Sequence, residues 1–89
     1  MTEKKIHLIG RIDQIVRDYF EKKNFPYEIM AKDLMPLFIM KGIFKKDHRN
    51  GLAIRNLLRE LDSEKKLSLL KNIKVTRKTR NRNWYFIKK

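Results

Sequence analysis

The amino-acid sequence predicts an α+β domain in which three helices precede a C-terminal β-hairpin. Apolar residues recur at helical spacing through roughly the first two thirds of the chain and change to alternating spacing after Leu70. Asparagine, glycine and proline residues interrupt the pattern between these segments. With 89 residues, 42% of them apolar, the chain has enough material for one packed core and is too short for two.

The first helix is predicted over residues 6–23. Asn24 and Pro26 end it, and residues 25–30 are ambiguous and can form a brief extended segment. Polar residues occupy one face, on which Asp13, Asp18 and Glu21 are expected to be solvated. The other face is apolar and predicts contact with the core, through Leu8, Ile9, Ile12, Ile15, Val16, Tyr19 and Phe20.

The second helix is predicted over residues 34–41. Asp33 can cap it by accepting hydrogen bonds from the free backbone N–H groups of the first turn. Pro36 falls in that turn, where its missing N–H costs little, and Gly42 is a left-handed stop. Three methionines recur at helical spacing, which favours core packing for each of them: Met30, Met35 and Met40.

The third helix is predicted over residues 48–62, with Asp47 as a possible cap. Four apolar residues form its buried stripe, namely Ile54, Leu57, Leu58 and Leu61. At about 100° per residue, the opposite side carries Arg49, Leu52, Asn56 and Arg59, with Arg55 on its flank. Leucines 67, 69 and 70 are out of phase with the stripe, so the helix is expected to end near residues 62–64.

The last segment predicts a hairpin over residues 73–88. Ile73 and Val75 alternate with polar residues, and residues 84–87 form a second β-prone run rich in aromatic side chains. Residues 80–83 join the two runs, and their asparagines tolerate the left-handed backbone angles of a tight turn. Within the second run, Trp84 and Phe86 are expected in the core and Tyr85 on the outside.

The charge of the chain is strongly positive and unevenly distributed. Lysine and arginine number 23 against 10 acidic residues, which gives a formal net charge of +13. Residues 1–44 hold eight basic and six acidic side chains, whereas residues 45–89 hold 15 basic and four acidic ones. Because such an excess attracts polyanions, we expect the first half to be the scaffold and the second half the contact surface.

The remaining composition narrows the class of protein. The absence of cysteine rules out disulfides and thiolate zinc sites, and two distant histidines give no metal-ligand spacing, so no metal or cofactor is expected. No pattern typical of a catalytic site or of a phosphate-binding glycine loop is present, and we expect no enzymatic activity. No signal peptide or run of ~20 apolar residues is visible. These features predict a cytoplasmic protein, nucleoid-associated if bacterial, without a membrane partner.

The order helix, short extended segment, helix, turn, helix, hairpin resembles the winged-helix branch of the helix-turn-helix family. The resemblance rests on residues 33–41, 42–46, the helix from His48 and the hairpin 73–88. It implies that the third helix is a recognition helix for the DNA major groove and that the hairpin is a wing touching backbone or minor groove. The implied recognition residues are Arg49, Asn50, Arg55, Asn56 and Arg59, and the implied wing-tip residues are Arg77, Lys78, Arg80 and Arg82.

The side-chain chemistry of these residues favours nucleic acid as the partner. Arginine, lysine and asparagine are the side chains that pair with phosphate oxygens or purine edges. The leading hypothesis is double-stranded DNA binding, by a transcription regulator or a part of a DNA-handling machine. Two alternatives remain open: an RNA-binding, ribosome-associated protein that uses the same basic hairpin, and a winged-helix module for an acidic protein partner. A homodimer through the first helix also remains open.

Overall fold

The computed structural model describes residues 2–23, 27–47, 49–79 and 83–89 and is an α+β domain, as the sequence predicts. Within these ranges it contains three α-helices and one three-stranded antiparallel sheet. The helices are α1 Glu3–Lys22, α2 Met35–Met40 and α3 Leu52–Ser63. The strands are β1 Glu28–Met30, β2 Ile73–Arg77 and β3 Trp84–Lys88, and two short 3₁₀ helices span Ala31–Leu34 and Leu67–Leu69.

Helix α1 begins three residues before its predicted start because Thr2 caps it. The Thr2 hydroxyl accepts a hydrogen bond from the Lys5 backbone N–H at 3.2 Å, and Glu3 places a negative charge in the first turn. The predicted apolar face is confirmed, with Ile9, Ile12, Val16 and Phe20 buried and Leu8, Ile15 and Tyr19 packed partly against the core.

The expectation that Asp13 is solvated is wrong. Only 6% of Asp13 is exposed, and its carboxylate accepts two hydrogen bonds from Asn72, from the backbone N–H at 2.9 Å and from the side-chain amide at 2.7 Å. This pair ties α1 to the residue that precedes β2, 59 positions later. A buried carboxylate is stable only with such partners.

The predicted second helix is divided between the 3₁₀ helix Ala31–Leu34 and α2. Asp33 is exposed within the 3₁₀ helix, and no side chain caps α2, so the predicted cap is wrong. The physical reason is that the 3₁₀ turn already supplies an acceptor, since the Met35 N–H bonds to the Lys32 carbonyl.

The end of α2 confirms Gly42 as a left-handed stop. Its φ is +78°, and its N–H donates to the Ile39 carbonyl at 3.0 Å. The N–H of Ile43 donates to the Phe38 carbonyl at 2.8 Å, and the Ile43 side chain is buried. These two bonds form a Schellman motif, which satisfies the last carbonyls of the helix.

The prediction of core packing holds for Met35 and fails for Met40. Met35 is fully buried in α2, whereas Met30 is half-buried in β1 and Met40 is 72% exposed. Five residues after Met35, Met40 is rotated by about 140° around the helix, so both cannot face the same core.

Helix α3 begins at Leu52, four residues after the predicted start. Asn50 and Gly51 have φ of +44° and +86°, and a right-handed helix cannot run through them. The Asp47 carboxylate accepts the Gly51 N–H at 2.6 Å, so Asp47 holds the turn before the helix instead of capping a helix from residue 48. His48 lies outside the described residues. The predicted buried stripe of α3 is confirmed in full.

The sheet has the strand order β1-β3-β2, and all its neighbours are antiparallel. Val75 lies opposite Phe86, and Arg77 lies opposite Trp84, which confirms the predicted hairpin. Trp84 and Phe86 are buried and Tyr85 is half-exposed, as expected from their alternation. The ambiguous segment after Pro26 supplies β1, which pairs with the other side of β3.

All three α-helices and strands β2 and β3 contribute buried side chains to one hydrophobic core. Phe38 of α2 is fully buried, and its ring meets those of Phe44 and Phe86 edge-to-face, with centroids 6.1 and 6.3 Å away. These contacts fix α2 against the sheet.

Candidate nucleic-acid interface

The turn before α3 presents two of the predicted recognition residues to solvent. Arg49 and Asn50 are both exposed in this turn, outside the helix in which they were predicted. Two contacts hold the turn: the Asp47 carboxylate accepts the Gly51 N–H, and an Arg55 Nη2 donates to the Arg49 carbonyl at 3.2 Å. The backbone that carries Arg49 and Asn50 is therefore fixed from both ends.

The outer side of α3 carries two further predicted residues. Asn56 and Arg59 are exposed one turn apart, and an Arg59 Nη1 lies 3.4 Å from the Asn56 side-chain oxygen. Arg55 is half-buried, and its Nε is shielded from solvent without a hydrogen-bond partner among the described residues. Asn56 and Arg59 are thus free to meet a ligand, whereas Arg55 partly serves to hold the turn.

The flank of α3 that faces α1 is occupied by an ion pair. The Lys5 ammonium of α1 lies 2.7 Å from the Glu60 carboxylate. The Lys5 side chain is 37% exposed and the Glu60 side chain is 40% exposed. This pair balances the charge of Glu60 on the flank of α3. At this exposure its contribution to the free energy of unfolding is small.

On the hairpin, Arg77 and Lys78 are exposed on opposite faces of the sheet. Arg77 shares a face with Val75, and its guanidinium carbon lies 5.6 Å from the centre of the Trp84 ring. This stacking restricts the guanidinium while leaving its N–H groups in reach of an anion. Arg80 and Arg82, the other predicted residues of the hairpin tip, lie outside the described residues.

Lys78 already has an acidic partner within the domain. Its ammonium forms an ion pair with the Glu28 carboxylate of β1 and lies 4.3 Å from the centre of the Tyr85 ring. The hydrogen bond to Glu28 raises the pKa of Lys78 above its usual value, and the charges of Glu28 and Tyr85 act in the same direction. Lys78 stays charged at neutral pH, but part of its charge is balanced locally.

The pairing of β1 with β3 and the packing of Gly51 show that the turn before α3 lies near the hairpin. Strand β1 runs towards the hairpin tip, since Glu28 pairs with Ile87 and Met30 pairs with Tyr85. The 3₁₀ helix Ala31–Leu34 therefore begins at the tip end of the sheet. Gly51 packs directly on this 3₁₀ helix: a Cβ at residue 51 would lie 2.4 Å from Lys32 Cβ. The first turn of α3 thus lies near the end of the sheet at which β2 ends and β3 begins.

This packing adds Lys32 to the candidate surface, a residue that sequence reasoning missed. Lys32 is half-buried, and its Cα and Cβ lie directly against Gly51, the residue that follows Arg49 and Asn50. No local pattern marks it, because its position depends on a contact with a glycine 19 residues away. Carboxylates also occur at this end, among them Asp47, which is engaged by the Gly51 N–H, and Asp33.

Across the described ranges, no group of three or more histidine, aspartate or glutamate side chains is arranged to hold a metal ion. None of the helices in these ranges is long and apolar enough to span a membrane.

Comparison with known proteins gives no match: no family model fits the chain, and no curated protein or solved structure resembles it significantly.

Proposed function

We propose that this chain is a winged-helix domain that binds double-stranded DNA, as a transcription regulator or as part of a DNA-handling machine. The observation that carries the proposal is that Gly51 packs on the 3₁₀ helix at the hairpin end of the sheet. It supports the proposal because Arg49 and Asn50 directly precede Gly51, and Arg77 ends β2 at this same end of the sheet, about 25 residues later in sequence. The order of helices and strands supports the same assignment.

In this proposal the two elements have different roles. Helix α3 enters the major groove, where Asn56 and Arg59 can reach base edges, because asparagine pairs with adenine and arginine with guanine. Arg49 and Asn50 lie at the start of the helix, where side chains and backbone N–H groups commonly contact phosphates. The hairpin contributes phosphate contacts through Arg77 and the tip arginines, Arg80 and Arg82.

The magnitude of the charge makes this proposal measurable. A net charge of +13 on 89 residues creates a long-range attraction for any polyanion. If about six of these cations contact phosphates, the association constant falls by roughly three orders of magnitude between about 50 and 200 mM salt. The slope of that dependence counts the phosphate contacts, whichever sequence is bound.

The double variant Arg80→Ala/Arg82→Ala is expected to weaken binding to all duplex sequences by about tenfold or more. It is also expected to reduce the slope of the logarithm of the association constant against the logarithm of the salt concentration by about 2. Fluorescence anisotropy with a labelled duplex, titrated at several NaCl concentrations, measures both quantities.

A matched control is the variant Lys71→Ala/Lys89→Ala. It removes the same charge at the opposite end of the sheet, where the Lys89 ammonium donates to the Lys71 carbonyl. It is expected to reduce affinity less, through the long-range field alone. Equal effects from the two double variants would mean that the hairpin tip is not in the interface.

Competition between nucleic acids tests the class of ligand. Unlabelled duplex DNA is expected to displace the labelled duplex at lower concentration than duplex RNA or single-stranded DNA, because the wide major groove of B-form DNA admits a helix and that of duplex RNA does not. Stronger competition by RNA at equal phosphate concentration would favour an RNA-binding role for the same surface.

A further inference from the structure

A groove between α1 and α2 is not used by the proposed DNA interface. It has a volume of about 300 Å³, and its floor is apolar, formed by Ile15 and Tyr19 of α1 and Leu37 of α2. These three side chains pack partly against the hydrophobic core and leave part of their surface in the groove. Of the described residues, none from α3 or the hairpin lines it. The groove is therefore a separate surface of the domain.

The rim of the groove is cationic. Four basic side chains border it, namely Arg11, Lys22, Lys23 and Lys41. Arg11 is fixed across the groove by a hydrogen bond from its Nη2 to the Lys41 carbonyl at 2.8 Å. The Lys23 ammonium lies 5.5 Å from the centre of the Tyr19 ring. All four basic residues are exposed, so positive charge borders the apolar floor.

The rim also includes an acidic residue. Asp18 makes weak contacts within α1, 3.5 Å from an Arg17 Nη2 and 3.5 Å from the Gln14 side-chain nitrogen, and among the described residues it is one acidic residue against four basic ones in the groove lining. The excess positive charge of the rim is therefore complementary to carboxylates on a ligand. Neutral apolar ligands would leave this charge unmatched.

The length of the groove matches that of one short helix lying along it. Its α1 wall extends from Arg11 to Lys22, which is about 17 Å along the helix axis. A ligand helix of about 12 residues has the same length, and its apolar stripe at three- and four-residue spacing matches the spacing of Ile15 and Tyr19. The ends of such a helix would lie near the lysines at the C-terminal ends of α1 and α2.

From these features we infer that the α1–α2 groove binds an acidic amphipathic helix of a partner protein. Leucine-like side chains of the partner pack on Ile15, Tyr19 and Leu37, and its carboxylates pair with the rim lysines and Arg11. The inference does not depend on DNA binding, because it rests on a different surface. A domain with both sites can hold DNA and a partner protein at the same time.

The experiment uses the full chain, labelled with ¹⁵N, and a synthetic acetylated peptide of about 14 leucine, glutamate and alanine residues, with leucines at three- and four-residue steps. Titration is expected to shift the backbone amide signals of Gln14, Asp18 and Leu37. Two control peptides of equal charge replace the leucines by glutamine or scramble their order. Both are expected to bind at least about fivefold more weakly, because they present no apolar stripe to the floor.

Two protein variants distinguish the effect of a charge at the groove rim from the effect of the net charge of the protein on peptide binding. Lys41→Glu at the rim is expected to weaken peptide binding by about fivefold to tenfold, since it removes an attraction and adds a repulsion. Lys4→Glu makes the same change of charge on α1, about 10 Å before the groove begins, and is expected to have a smaller effect. Spectra of the free variants establish that both are folded.

Two results would overturn the inference. One is equal affinity for the three peptides, which would show attraction to acidic peptides in general. The other is a set of shifts centred on α3 and the hairpin. Because the peptide changes leave the protein unaltered, the test stands even if a variant fails to fold. A separate titration with duplex DNA distinguishes the two proposals. If the peptide shifts the groove signals and duplex DNA shifts no signals, the proposed function is contradicted and the inference about the groove is not.

Discussion

At the scale of single residues, the molecule depends on side chains whose partners are distant in sequence. Asp13 is the clearest case, because its position on the edge of the α1 apolar face does not reveal whether it is solvated. The structure buries it and satisfies it with Asn72. Lys78 is the opposite case, an exposed cation whose charge is partly balanced by Glu28 and is therefore less available to a ligand.

Asp13→Ala is expected to lower the free energy of unfolding by about 1–3 kcal/mol. The change leaves the backbone N–H and side-chain amide of Asn72 without acceptors in a partly buried site. Urea denaturation followed by circular dichroism measures the change. Asp18→Ala is the matched control on the same helix, and a shift within about 0.5 kcal/mol is expected there because Asp18 makes only weak surface contacts. Equal effects of the two changes would refute the structural role of the Asp13–Asn72 pair.

At the scale of elements, the turn before α3 determines which residues belong to the helix and which precede it. The apolar stripe of α3 is evident in the sequence, but its start is set by the left-handed turn at residues 50 and 51 and by close packing of Gly51 on Lys32. That turn moves Arg49 and Asn50 off the helix face and places them before its first turn.

Gly51→Ala is expected to destabilise the domain by about 1–3 kcal/mol or more. An added Cβ would meet Lys32 Cβ at 2.4 Å and Lys32 Cα at 2.9 Å, and the φ of +86° is unfavourable for any other residue. Thermal unfolding measures the loss. If the variant still folds, its affinity for duplex DNA is also expected to fall, because the turn and the 3₁₀ helix must move apart.

Gly10→Ala provides the contrasting substitution in the same protein. Gly10 lies within α1, and nothing is within 4 Å of the position that its Cβ would take. Alanine is favoured over glycine inside a helix, so this change is expected to stabilise the domain by about 0.5–1 kcal/mol. A destabilisation comparable with that of Gly51→Ala would contradict the packing described for both glycines.

At the scale of the whole molecule, the dominant property is uncompensated positive charge. The described ion pairs engage Glu28 and Glu60 with lysines from other elements, while the hairpin segment from Lys71 to Lys89 contains eight basic residues and no acidic one. The folded domain therefore carries self-repulsion that counterions or a polyanionic ligand can reduce.

The melting temperature of the free protein is expected to rise between about 20 and 200 mM NaCl. Screening lengths fall from tens of ångströms to below 10 Å over such a range, which reduces repulsion among exposed cations. Differential scanning calorimetry measures the shift, and sodium chloride avoids the additional stabilisation that sulfate provides. A fall in melting temperature with salt would contradict this expectation. It would mean that the surface ion pairs stabilise the fold more than repulsion among the excess cations destabilises it.

The sequence by itself determined the α+β class, the core-facing sides of α1 and α3, the stop at Gly42 and the pairing of β2 with β3. Each of these depends on local periodicity or on the backbone preference of one residue, which a single segment carries in full. Exposure of Asn56 and Arg59 was predictable for the same reason, since both lie opposite the apolar stripe of α3.

Only the tertiary structure decided that Asp13 is buried, that Asp33 caps no helix, that α3 starts at Leu52 and that Lys32 joins the candidate surface. Asp13, α3 and Lys32 each depend on contacts between residues separated by 19 or more positions in sequence, or on backbone angles that those contacts stabilise. Periodicity specifies which side of an element avoids water. It does not specify which other element covers that side, because many packings bury the same apolar area and only the assembled core selects among them.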